Sequence, residues 1–331
     1  MISIWVWAPT AAVVSAALSL LFSHVMRKHH VGKRIRKQGP RAHLLKEGTP
    51  TMGGVVILAV WGGCLAIASC LGLCESSWWM IYAASALYGA IGLLDDLLSQ
   101  RALDRDGAGL RPWQKIALGT AAWALLVGIF PDLLRTAYAV PFAPTVVRLP
   151  GWLPFPLTWF VFTGATNSMN LTDGLDGLAA GVAVISMTGL VIALPDSASA
   201  PVSIALVGTL TGFLWTNSYP SKLFMGDVGS FALGAAVAAL TIDNGLIFFL
   251  PFFAAVPLLE AISVIVQVAL FRTAGVRLFR MSPLHHHFEE TTSPQRTFLL
   301  PTATWTEPKI TMRFWIVHAL VVAVGVLAVR F

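Results

Sequence analysis

The sequence predicts an all-α polytopic membrane protein with about ten transmembrane helices and both termini outside (periplasmic or extracytoplasmic). Composition is the first reason. Of the 331 residues, 56% are hydrophobic and only 11% are charged, whereas an average soluble domain carries about 25% charged residues. The second reason is that apolar runs recur from end to end, many of them near the roughly 20 residues that cross a bilayer. The third is that positive charge gathers on alternate connections between those runs.

In order, the spans read as 3–25, 52–73, 78–96, 115–131, 155–172, 177–194, 202–217, 228–243, 246–271 and 313–330. The first, near IWVWAPTAAVVSAALSLLFSHVM, follows no basic segment and carries no obvious A-x-A cleavage site. It therefore reads as a retained helix, not a removed signal peptide. Cys64 and Cys70 lie in the second run and Cys74 just after it. Three cysteines at spacings that match no metal motif read as small apolar fillers. The third span ends in LYGAIGLLDD, and several of the middle ones are short or interrupted by glycine. Between the fourth and fifth spans, PFAPTVVRLPGWLPFP (141–156) reads as a Pro-rich connection, and LPDSASAP (194–201) as a turn between the sixth and seventh. The 12 tryptophans suit the aromatic belts of the two interfaces. No soluble domain fits between spans and no repeat is evident, so residues 1–331 read as a single integral-membrane domain.

Orientation follows from the cations. Residues 27–46 hold eight Lys and Arg, and adding 97–115, 218–226 and 272–313 accounts for 19 of the 22. With ten spans all four regions fall on one side, which the positive-inside rule makes cytoplasmic. Cytoplasmic loops are then expected at about 26–51, 97–114, 173–176, 218–227 and 272–312. The net charge of +6 is explained by this bias and by attraction to anionic headgroups of the lipid bilayer, with no nucleic-acid partner required.

The acidic motifs fall on the same side, although the cation count did not use them. Asp95 and Asp96 close the third span, Asp173 and Asp176 follow the fifth, and Asp227 follows the seventh. Carboxylates are costly near hydrocarbon, so each is a functional candidate. Three acidic clusters on one face suggest a magnesium and phosphate site at the lipid–water boundary. On a helix Asp95 and Asp96 point about 100° apart. One could bind metal while the other meets an acceptor or takes a proton; a solvated helix end is the plainer alternative.

In NSMNLTDGLDG, Asn167, Asn170, Asp173 and Asp176 recur every three residues and would line one face of a helix or helical turn. Such a strip offers amides and carboxylates to ribose, uracil or a metal's water shell, with ordinary capping as the alternative. WTNSYPSKLFMGDVGS carries Asn217, Lys222, Phe224 and Asp227, with Gly226 and Gly229 around the acid. Small neighbours let a phosphate or metal approach the backbone, and Phe224 could stack on a base or simply pack at the interface. The histidines of PLHHHFE diverge as neighbours must, so they make a poor zinc set, but they could neutralise phosphate charge. KEGTPTMGG (46–54) supplies hydroxyls from Thr49 and Thr51, and glycines for close packing or a phosphate contact. Glu260 and Gln267 share a face of the ninth span, where Glu260 reads as a buried partner for a basic group. No P-loop or dinucleotide fingerprint is present.

The motifs TPTMGG, GLLDD, NSMNLTDGLDGLAAG, FMGDVGS and PLHHHFE occur in that order over nearly the whole chain. Together they resemble the phospho-N-acetylmuramoyl-pentapeptide transferases, within the polyprenyl-phosphate N-acetylhexosamine-1-phosphate transferases. The HHHFE block is the more particular to the muramoyl-pentapeptide branch. The resemblance implies a ten-helix homodimer in the bacterial inner (cytoplasmic) membrane, with a magnesium-dependent (Mg2+) catalytic site facing the cytoplasm. It implies that UDP-MurNAc-pentapeptide and undecaprenyl phosphate react to give lipid I and UMP in peptidoglycan synthesis.

Carried over by motif, Asp227 is the magnesium ligand, and Asp95 and Asp96 serve the acceptor phosphate. Lys46, Thr51, Asn170, Asp173, Asp176, Asn217, Phe224 and Gln267 match nucleotide-pocket positions. His285, His286 and His287 match a histidine motif facing the sugar-phosphate or lipid phosphate, with His286 expected among the catalytic groups. The family often has a lysine soon after the aspartate pair where this chain has DDLLSQR, so phosphate contacts would shift to Arg101, Arg111 or Lys115. The loop after HHHFE, which carries Arg296, is longer than the family pattern leads one to expect. A sister enzyme transferring GlcNAc-1-phosphate is the nearest alternative. An ion-coupled transporter is a more distant one, because transport sites usually lie near the midplane and often within repeats.

Overall fold

The computed structural model describes residues 6–29, 32, 46, 48–101, 109–289 and 297–330. Most of the basic segment 27–46, and Arg296, lie outside the described residues. The ten expected spans correspond in order to ten helices. These are α1 (Trp7–Lys28), α2 (Gly54–Cys70), α3 (Ser76–Arg101), α4 (Pro112–Ile129) and α5 (Pro154–Thr172), then α6 (Leu178–Ala193), α7 (Ala200–Asn217), α8 (Gly226–Asp243), α9 (Ala255–Ala274) and α10 (Glu307–Arg330). By length and composition α1, α3, α8, α9 and α10 can each cross a membrane, while α2 and α6 are shorter apolar helices. The chain is a predominantly helical, polytopic membrane protein.

At the centre stands α8, buried at every position from Val228 to Ile242. Its sequence, GDVGSFALGAAVAALTID, is mostly Gly and Ala. In a membrane the lipid is as apolar as the protein, so helices associate through close packing at small residues. Around α8 pack α3, α5, α2 and α6, with α1 against α7 and α10 against α6 forming the outer contacts. The large side chains of α1 and α9, such as Val13, Leu21, Ile265 and Phe271, are exposed, as lipid-facing residues should be.

Four local departures from the expected layout have physical reasons. First, Asp95 and Asp96 do not end a helix: LLSQR contains no glycine or proline, so α3 runs on to Arg101. Second, the polar strip from Asn167 to Asp176 is broken. Helix α5 stops at Thr172, Asp173 is its C-cap, and Gly177 enters α6 at φ +74°. Third, the run 246–271 is interrupted by a 3-10 turn, Ile247–Phe249, and a single helical turn, Leu250–Phe253, before α9 begins. Pro257 lacks an N–H and would clash with the Phe253 carbonyl in a continuous helix, so the chain breaks at Ala254 (φ −126°) and restarts. Fourth, the structure is not purely α. The Pro-rich connection contains an antiparallel hairpin, β1 (Ala137–Val140) and β2 (Ala143–Arg148). Pro141 and Phe142 form its two-residue loop, with Phe142 at φ +58° in the manner of a type II turn. The Phe142 ring packs against Phe252, 5.9 Å between centroids.

Candidate active site

Two acidic motifs, joined by Asn170 of the third, meet where α3 crosses the start of α8. The crossing needs Gly92, since a Cβ there would lie 2.2 Å from the Asp227 carbonyl oxygen. Asp227 occupies the first turn of α8 rather than the loop before it. Unpaired N–H groups and the positive end of the helix dipole favour a carboxylate in that position. Asp96 reaches over from α3 and accepts the Val228 N–H at 3.1 Å, satisfying one of those orphan donors. Asp95 and Asp96 diverge as adjacent helical residues must, but both divergent paths end at this helix start.

Asp95 is buried. One of its oxygens accepts the Leu110 N–H, and the other lies 3.0 Å from Lys115 Nζ. The same ammonium donates to Asp227 Oδ2 at 2.7 Å, and Asn170 Nδ2 donates to Asp227 Oδ1 at 2.9 Å. Of the three cations considered as substitutes for the missing lysine, Lys115 is the one at the carboxylates. Counted formally, the Asp95–Asp227–Lys115 group has one more negative than positive charge. These donors fit magnesium, a hard cation that takes one or two carboxylates and completes its shell with water and substrate phosphate. Asp227 and Asp95 would hold it.

A second polar cluster forms from residues far apart in sequence. Lys46 Nζ donates to Asp176 Oδ1 at 2.7 Å and to Glu307 Oε1 at 2.5 Å. Burial alone would lower the Lys46 pKa, but Glu307 and Asp176 outweigh it and hold the ammonium above the ordinary lysine value. Lys46 also lies 5.9 Å from the centroid of the Phe224 ring, leaving an aromatic face beside a cation. The TPTMGG and FMGD motifs form one structure. Phe224 donates its N–H to the Pro50 carbonyl at 2.8 Å, and Gly53 and Gly54 donate to the carbonyls of Phe224 and Met225, each at 2.9 Å. The TPTMGG glycines thus serve packing. Thr51 is buried in this turn pair, which joins the two clusters, because Phe224 belongs to one and Asp227 to the other.

The histidines face three ways. His285 is buried, its N–H directed at both Glu260 oxygens at 3.2 and 3.3 Å. Its ring rests on Gly174, where a Cβ would fall 2.1 Å from Nε2, so this glycine brings the histidine loop against the Asp173–Asp176 turn. His286 pairs with Glu289 and keeps part of its ring exposed. His287 is locked: its Nδ1 accepts the Arg280 N–H at 3.0 Å and its carbonyl accepts from Thr302 at 2.8 Å. Burial, and the nearby Arg280 charge, lower the His287 pKa despite a bond to the Pro301 carbonyl, so the ring stays neutral.

Two expected pocket residues are committed to backbone instead. Gln267 Oε1 accepts from Leu278 and Phe279 at 3.0 and 2.9 Å, and its Nε2 donates back to Phe279 at 3.1 Å. Asn217 is buried and donates to the Leu223 carbonyl at 3.0 Å. Both shape loops around the site. Asp173 sits at the C-cap of α5, and Asn167 donates to its own helix at Thr163 (2.8 Å). The residue missed in the sequence is Glu307, which lay in an expected loop. Its signal was there: Thr306, Glu307 and Pro308 form a helix-opening pattern directly before an apolar run.

The chain matches the model of glycosyl transferase family 4 over residues 78–245. It also matches signature 1 of the phospho-N-acetylmuramoyl-pentapeptide-transferases over residues 46–58, the segment from Lys46 into α2. It is 37% identical over 337 residues to the phospho-N-acetylmuramoyl-pentapeptide-transferase of Desulforamulus reducens, covering 99% of this chain and 96% of that one. With the enzyme of the same description from Oceanobacillus iheyensis the identity is 38% over 331 residues, covering 96% and 94% of the two chains. A third such relative, from Desulfitobacterium hafniense, is 38% identical over 344 residues, covering 98% and 97%. Similarity at this level along nearly the full length places the chain in the phospho-N-acetylmuramoyl-pentapeptide-transferase family.

Proposed function

We propose that this transferase moves phospho-MurNAc-pentapeptide from UDP-MurNAc-pentapeptide to undecaprenyl phosphate, forming lipid I and releasing UMP. The observation that carries the reading is the convergence of Asp95, Asp227, Lys115 and Asn170 at one point where α3, α4, α5 and α8 meet. Magnesium, when bound, would neutralise the donor diphosphate and stabilise departing UMP. Asp227 would hold the ion with help from Asp95, and Asp96 keeps Asp227 aligned by fixing the first turn of α8. Lys115, which balances both carboxylates, turns to the incoming phosphate. The acceptor phosphate is largely ionised near neutral pH, so Asp95 contributes more by aligning it than by removing a proton. Lys46, Thr51, Asp173, Asp176 and the Phe224 face receive the nucleotide. His286, the most open of the three histidines, faces the phosphates.

In this reading residues 1–331 form one catalytic domain of ten spans in the bacterial inner membrane. Both termini lie outside, the active site faces the cytoplasm, and two copies form a homodimer. The positive-inside distribution supports the orientation. The test is UMP release by purified protein given undecaprenyl phosphate and either UDP-MurNAc-pentapeptide or UDP-GlcNAc. Magnesium-dependent release with the first alone is expected. Asp227→Asn should cut turnover beyond the roughly 10–100-fold that loss of a supporting metal partner costs, while the protein still folds. Near-normal turnover with an unchanged magnesium response would refute the metal assignment.

A further inference from the structure

Glu307 opens α10 and is 8% exposed. Its Oε1 accepts from Lys46 and also from the Asp176 backbone N–H at 2.7 Å. One turn further on, Thr311 donates to the Asp176 carbonyl at 3.2 Å. The start of α10 therefore grips Asp176 by both of its backbone polar groups. Lys46 and the Ser221 N–H, at 2.7 and 3.0 Å, hold its two carboxylate oxygens. Asp176 is fixed at four points, two of them through α10.

The other Glu307 oxygen, Oε2, is buried with no partner among the described residues. A buried carboxylate with an idle oxygen is a poor stabilising device, since desolvation offsets much of what the ion pair returns. Its geometry is better explained by placement of its neighbours. We propose that Glu307 is a positioning residue for the nucleotide, fixing where the Lys46 ammonium and the Asp176 carboxylate meet a uridine group. The proposal rests on the reading of the Lys46–Asp176 cluster as the nucleotide end of the site.

The experiment uses the full-length protein in detergent, with UMP and uridine as probes and ligand-detected NMR as the readout. Glu307→Gln should weaken both ligands about tenfold or more, the size expected for lost hydrogen bonds to charged groups. It should raise KM for the UDP-sugar in proportion and leave kcat at saturation within about twofold. Glu307→Asp, which keeps the charge, should fall between wild type and Glu307→Gln. Uridine separates placement from simple charge: removing a negative group would strengthen UMP alone and leave uridine unchanged, and that result overturns the proposal. So does a lowered kcat at unchanged KM, or failure of both variants to fold, which would make Glu307 a stability residue. Asp176→Asn distinguishes the two readings. If it weakens both probes while Glu307→Gln does not, the pocket stands and the positioning role fails. If Asp176→Asn binds like wild type, the pocket reading fails and the proposal falls with it.

Discussion

His287 shows how one ring nitrogen can make a loop sensitive to pH. Its Nδ1 must be unprotonated to accept the Arg280 N–H. In the imidazolium two N–H groups would face each other. Because the folded pKa is lowered, the unfolded chain takes up the proton first, and stability falls as pH falls. The contribution is complete above the ordinary histidine pKa of about 6.5 and is lost as pH drops from there through the folded value. Protonation sacrifices a hydrogen bond worth about 0.5–1.5 kcal/mol net. The thermal midpoint should therefore drop between pH 7.5 and 5.5, and drop less in His287→Gln, whose side-chain oxygen can still accept from Arg280. An equal acid response in both proteins would show that the ring carries none of it. Lys46 has the opposite sense: its raised pKa keeps the ammonium charged until well into the alkaline range.

Among the helices, the crossing of α3 and α8 does most to assemble the site. It places Asp95 and Asp96 beside Asp227, and it depends on a position with no side chain. In Gly92→Ala the new Cβ would meet Asp227 O at 2.2 Å, Asp227 C at 2.3 Å and Val228 N at 2.6 Å, all backbone atoms that cannot rotate away. The helices must part. Overpacking of this kind costs about 1–3 kcal/mol, and a displaced carboxylate pair should lower turnover at least tenfold. Gly63→Ala in α2 is the matched control, since nothing lies within 4 Å of its added Cβ. It should be neutral or slightly stabilising, because alanine is the better helix former by up to about 1 kcal/mol. Melting curves and turnover of the two variants decide the point, and near-wild-type behaviour of Gly92→Ala would mean the crossing is looser than described.

For the molecule as a whole, orientation in the bilayer is the property on which the proposed function depends. Single cysteines at Ser99, Lys222 and Asp196, all at exposed positions, test it in a background lacking Cys64, Cys70 and Cys74. Labels at 99 and 222 should react only with a reagent on the cytoplasmic side, and the label at 196 only with one outside. Any reversal would separate the acidic motifs from the compartment that supplies UDP-sugars. The same layout explains the central helix. Residues buried on all sides of α8 carry the carboxylate, while the helices around it turn large apolar side chains to the lipid.

Hydropathy alone placed the ten helices in order and most of their ends within a few residues, because a membrane segment must meet its composition locally. It set the start of α9 nine residues early and that of α10 six residues late. Motif spacing likewise singled out Asp95, Asp96, Asp176, Asp227 and the histidines. What it left open were the pairings. Lys46 meets Glu307 across 261 positions of sequence and Asp227 meets Lys115 across 112. Only the packing decided that TPTMGG would dock on FMGD and that Gln267 and Asn217 would shape loops. Such contacts are set by where small residues let helices approach and where buried polar groups find donors. Both depend on neighbours distant in sequence, so no local pattern could have revealed them.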